Sequence, residues 1–129
     1  MAVSALGVLL KKLRDDRGLS LRELGRLAEV DHAYIYRLET GDKEAPSEDA
    51  LGKLTRALKP SKRESDMLQY LAQNTKTPAE LVELTLKDPT ILFSHFAGAA
   101  GFAFRGKRPN FPELIARIKR WEEDDEANG

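Results

Sequence analysis

The chain contains no cysteine, which excludes disulfides and thiolate metal sites and, with them, the disulfide-stapled class of small secreted scaffolds. An intracellular, cytoplasmic setting is expected. Histidine is almost as scarce, with His32 and His95 alone and far apart in sequence. No HExxH pattern, glycine-rich phosphate loop or Ser/His/Asp arrangement can be assembled around them, so neither an enzyme nor a metal or cofactor site is expected. Long apolar runs are missing too. The longest, Ile91 to Phe104, is interrupted by Ser94 and His95 and falls short of the roughly 20 residues that span a bilayer. The opening MAVSALGVLLKKLRDD places its charges after its apolar residues, the reverse of a secretory signal, and reads as a helix. Net charge is also absent: 21 Lys/Arg balance 21 Asp/Glu, so the bulk positive charge of an unselective polyanion binder is lacking.

What is present is helical grammar. Apolar residues recur at three- and four-residue spacing, whereas alternating or Val/Ile-rich strand runs do not occur. Leu6, Leu9, Leu10 and Leu13 form one stripe, ended by Gly18. Ser20 with Glu23 is a capping box, in which hydroxyl and carboxylate each take an orphan backbone N–H; the helix it opens is expected to turn Leu21, Leu24, Leu27 and Ala28 inward and to stop near Glu29 and Val30. Asp31 can cap a third helix with Ile35 and Leu38 toward the core and Gly41 as its C-terminal break. Tyr34 has the spacing of a core or half-buried residue. Pro46 and Ser47 open a fourth helix, with Ala50, Leu51, Leu54 and Leu58 as its stripe, and Pro60 ends it.

The same signals continue beyond Pro60. Ser61 with Glu64, Thr77 with Glu80, Asp88-Pro89 and Asn110 with Glu113 predict helices near 62–73, 78–87, 89–97 and 111–123. Residues 98–108 are expected to be irregular, and the acidic end from Glu122 to fray. The fold class expected is all-α: a four-helix unit at 1–60, a small helical unit at 61–123 that serves dimerisation or partner binding, and a flexible acidic tail at 124–129.

Residues 20–41, SLRELGRLAEVDHAYIYRLETG, resemble the helix-turn-helix of the Cro/C1-type (XRE-like) regulator family. The resemblance rests on the Ser20 cap, Glu23-Leu24, the small Gly25, Val30 in the turn, and Tyr34-Ile35-x-Arg37-Leu38-Glu39-x-Gly41. Leu10 and Leu13 before it, and Leu51, Leu54, Ala57 and Leu58 after it, fall where that family has its core. It covers about residues 5–59 and implies a lambda-repressor-like domain whose second paired helix enters the major groove of double-stranded DNA. By position the resemblance implies His32 and Arg37 as donors to guanine, Ala33 against a thymine methyl, and Tyr36 at a base or phosphate. Arg22 and Lys43 are suited to phosphates. Asp31 caps the helix or accepts from a cytosine amino group. Leu21 departs from the family, which often places a polar side chain there.

The resemblance implies a sequence-specific regulator, a repressor acting as a homodimer on a palindromic operator. Dimerisation would supply the affinity that a neutral chain lacks. An alternative with the same fold is an antitoxin-type regulator whose C-terminal half binds and neutralises a protein partner. The segment FAFRGKRPNFPELIARIKRW also resembles the C-terminal end of DdrO-type repressors, which implies a regulatory metallopeptidase as a partner. Its Arg105, Lys107 and Arg108 form a local basic cluster. His95, inside an apolar run, is expected to be a hydrogen-bonded core histidine.

Overall fold

The computed structural model describes residues 3–43, 45–102 and 109–128, with side chains to residue 125. Among these residues every regular element is helical: α1 (Ala5–Asp16), α2 (Leu21–Ala28), α3 (His32–Thr40), α4 (Glu48–Leu58), α5 (Lys62–Gln73), α6 (Ala79–Lys87), α7 (Phe93–Phe102) and α8 (Phe111–Asn128). None of them is long and apolar enough to cross a membrane. The local causes are those of the sequence. Ser4, Ser20, Ser47 and Ser61 each sit in extended backbone and accept a hydrogen bond from the amide three residues on, at Gly7, Glu23, Ala50 and Glu64. Each cap satisfies one of the donors that a helix start leaves unpaired.

Helix α1 is the strut of the molecule. Ala5, Leu6, Leu9, Leu10 and Leu13 are all buried, a wider arc than a single stripe, because α1 packs on α3 on one side and on α5 and α6 on the other. One continuous core therefore runs from Leu6 through Leu24, Ile35, Leu54 and Met67 to Phe96 and Ile118. Tyr70 meets Phe93 and Phe96 edge-on at 6.1 and 5.6 Å, the arrangement that ring quadrupoles favour.

Three sequence expectations are corrected. Leu27 is not inward but 61% exposed: the buried face of α2 is centred on Leu24, Gly25 and Ala28, and a residue three positions after Leu24 lies off that face. The helix expected at 89–97 begins at Phe93, because Asp88 holds the chain in a turn. Its Oδ1 accepts from the Thr90 amide and hydroxyl, and Arg63 Nη1 donates to the carbonyls of Asp88 and Ile91. That helix then runs to Phe102, through residues expected to be irregular. Ala99 and Ala100 are fully buried, and a Cβ at Gly98 would stand 3.5 Å from Ile118 Cδ1, so packing on α8 overrides the low helix propensity of glycine. Helix α8 extends through Glu122 to Asn128. Phe104 and the basic cluster Arg105, Lys107 and Arg108 lie outside the described residues.

Candidate nucleic-acid interface

The surface of interest is built by α2, the turn after it, and α3. The capping box of α2 forms fully: Ser20 Oγ accepts from the Glu23 amide and the Ser20 amide donates to Glu23 Oε1, both at 3.0 Å. These bonds to the ionised carboxylate hold Glu23 below the usual carboxylate range, the backbone amide of Ser20 contributing most. Helix α2 ends at Glu29, which adopts a left-handed conformation (φ 58°), and Val30 N donates to Gly25 O at 2.9 Å. The turn is tight because position 25 carries no side chain. A Cβ there would meet Val30 O at 2.7 Å and the His32 amide at 3.2 Å.

Asp31 then starts α3, its Oδ1 accepting from the Ala33 amide at 3.0 Å. Along α3 the sides divide cleanly. Ile35, Leu38 and Glu39 are buried, while His32, Ala33, Tyr36 and Arg37 are exposed; at 100° per residue these four share an arc of about 140°. Arg22, in the first turn of α2, is exposed as well. Neither Arg22 nor Arg37 makes an ion pair among the described residues. Lys43, after the left-handed Gly41 (φ 83°), is half-buried, with its ammonium 5.2 Å from the centre of the Tyr34 ring. All five residues are thus open to solvent, and Lys43 lies against an aromatic face.

Sequence reasoning missed what locks this surface in place. Glu39, only 5% exposed in its side chain, is gripped by Arg14 of α1 through Nε at 2.8 Å and Nη2 at 2.9 Å, and Arg14 Nη1 donates to Leu19 O at 2.8 Å. The bond to Glu39 raises the Arg14 guanidinium above its ordinary pKa. Gly7 of α1 lets the end of α3 come close, since a Cβ there would stand 2.5 Å from Glu39 O. Tyr34 is half-buried, and its hydroxyl accepts from the Ser47 amide at 3.0 Å, joining α3 to the start of α4. Arg17 closes the far end of α4, donating to the carbonyls of Leu58 and Lys59. One signal was available: Glu39 lies on the same stripe as Ile35 and Leu38, and a carboxylate on an apolar face needs a partner.

Two helices joined by a three-residue turn, the second with one face in the core and one in solvent, have a recognisable counterpart. The family model of a helix-turn-helix domain matches residues 5–66. This part of the chain is a helix-turn-helix domain. The match covers a little under half of the sequence and ends within α5. No curated protein and no solved structure matches the chain. Within the helix-turn-helix domain, α2 and α3 are the paired helices, α1 is the brace behind them, and α4 closes the core.

No group of three His, Asp or Glu side chains able to hold a metal ion occurs among the described residues. His95 is buried and fully engaged: the Leu92 amide donates to its Nδ1 at 3.0 Å, and Nε2 lies 2.6 Å from Glu122 Oε2. Because Nδ1 is the acceptor, the ring proton is on Nε2 and is donated to Glu122. This histidine joins the start of α7 to α8.

Proposed function

We propose that the chain is a sequence-specific DNA-binding transcriptional regulator, a cytoplasmic repressor that acts as a homodimer on a palindromic operator. The observation that carries this reading is the outward face of α3, where His32, Ala33, Tyr36 and Arg37 stand together on a helix whose other face is locked by Leu38 and the Arg14–Glu39 pair. Such a face offers guanidinium and imidazole donors to guanine O6 and N7 and a methyl to thymine. Arg22 contacts phosphate from the start of α2, and Lys43 does so from the loop after α3; these contacts set register without reading sequence. Asp31 is occupied by its own helix and lends α3 a capped, rigid start.

With equal numbers of acidic and basic residues in the chain, a single copy gains little affinity for DNA from its net charge. Two domains joined through the C-terminal half place two α3 helices on successive major-groove faces, and the contacts then act together. Selection of bound sequences from a random duplex pool tests the reading. An inverted repeat with half-site centres about 10 base pairs apart, or a multiple of that, is the expected product. Recovery of unrelated sequences would overturn it.

A further inference from the structure

The charges of this chain balance in number but not in place. Helix α8 is buried only as far as Ile118. Beyond it Trp121 is 50% exposed, with one side near the Phe102 ring at 6.3 Å, and Glu123, Asp124 and Asp125 are exposed without ion pairs among the described residues. These carboxylates crowd the C-terminal end of a helix, where the backbone already presents negative partial charge. Glu122 is held by His95, but the carboxylates after it carry like charges at an unfavourable dipole end, and a cationic surface with an apolar centre would stabilise them.

The surface formed by α2 and α4 has that character. Leu27 of α2 is 61% exposed and forms a ridge between two shallow recesses. One, of about 450 Å³, is walled by Leu19, Ala57, Leu58 and the basic side chains Arg17, Arg56 and Lys59. The other, of about 300 Å³, adds Lys53 and Glu29. Arg56 and Lys59 make no ion pair among the described residues, whereas Lys53 is paired with Asp49 and Arg17 lies 3.8 Å from Glu64.

We propose that the end of α8 from a second copy of this chain docks on this α2–α4 face, Trp121 against Leu19 and Leu27, and Glu123, Asp124 and Asp125 against Arg56 and Lys59. Because each copy carries both the acidic helix end and the basic face, the exchange is reciprocal and closes as a two-fold dimer. The inference rests on the homodimer reading above and gives that dimer its interface.

Sedimentation equilibrium of the full chain and two charge-reversed variants tests it. Glu123→Lys/Asp124→Lys/Asp125→Lys makes the helix end basic, and Arg56→Glu/Lys59→Glu makes the face acidic. Each variant alone is expected to dissociate at least about tenfold more readily than wild type, given a few exposed ion pairs and their reversal. Mixed in equal amounts they should form a heterodimer, since both contacts are then complementary; added salt should weaken the wild-type dimer. Circular dichroism confirms that each variant is folded, and recovery on mixing excludes unfolding as the cause of dissociation. A wild-type chain that stays monomeric would overturn both the interface and the homodimer reading. Variants that dimerise as wild type does, or that fail to pair on mixing, would overturn this interface alone.

Discussion

Arg14 and Glu39 form a two-point ion pair between α1 and α3, with side chains only 12% and 5% exposed. The pair lies directly behind the exposed face of α3, so the orientation of that face depends on it. Charges so far from water remain favourable only as long as each has its partner. Replacing either residue alone by alanine is expected to cost about 3 kcal/mol in denaturant unfolding. Replacing both together, Arg14→Met with Glu39→Leu, should restore most of that loss, because the buried charges go as a pair. A double variant no better than the single ones would show that the pair acts through something other than mutual neutralisation.

The tight turn predicts opposite outcomes for two helical glycines. Gly25→Ala would press a methyl against Val30 O at 2.7 Å, backbone that can yield only by opening the α2–α3 turn, and should destabilise by about 1–3 kcal/mol. Gly52→Ala meets nothing closer than the mobile Arg56 Nη1 at 3.4 Å and should stabilise by about 0.5–1 kcal/mol through the entropy of the unfolded chain. Thermal unfolding of the two variants reads the difference; the same sign for both would contradict the close crossing.

His95 should be observable as a single neutral tautomer. Nitrogen NMR is expected to show a protonated Nε2 and an acceptor Nδ1, as the bond from the Leu92 amide requires. Glu122→Ala should cost about 1 kcal/mol, because water can reach the half-exposed carboxylate's place and replace part of the bond. The opposite tautomer would contradict the described start of α7.

The capping box of α2 should leave a pH signature. The Glu23 carboxyl is lowered in the folded chain by its bonds to Ser20, so its contribution is complete above the ordinary carboxylate pKa and is lost as pH falls through the folded value. Glu23→Gln removes the charge and keeps the shape. Its stability deficit should therefore be largest near neutrality and close on acidification; a deficit constant across that range would sink the assignment.

Much of this was legible in the sequence because local chemistry and tertiary structure agree through most of the helix-turn-helix domain. Serine caps, Gly25, Gly41 and the Ile35–Leu38 stripe each fix one feature within a few residues of themselves. What was not legible depends on partners distant in sequence. Gly7 gives no local sign that α3 will cross it, and Arg14 looks like any solvated charge until Glu39, 25 residues on, is placed beside it. Leu27 was misread because Leu24 and Ala28 already satisfy the core. In the C-terminal half, Asp88-Pro89 resembles a helix start but is captured by Arg63, and the glycines of α7 resemble a loop but permit close packing on α8. The face formed by His32, Ala33, Tyr36 and Arg37 was implied by the family resemblance and agrees with helical phase, while the position of Lys43 over Tyr34 was implied by neither.

The central claim is that the exposed face of α3 reads DNA sequence. The most direct measurement is the affinity of wild type and of Arg37→Ala/His32→Ala for a selected operator and for random duplex, at low and raised salt. The account predicts that the wild type prefers the operator and weakens steeply with salt, and that the double variant loses about 10- to 100-fold of that preference while still binding random duplex at low salt through Arg22 and Lys43. No retention of wild type on any duplex at low salt, or undiminished preference in the double variant, would contradict it.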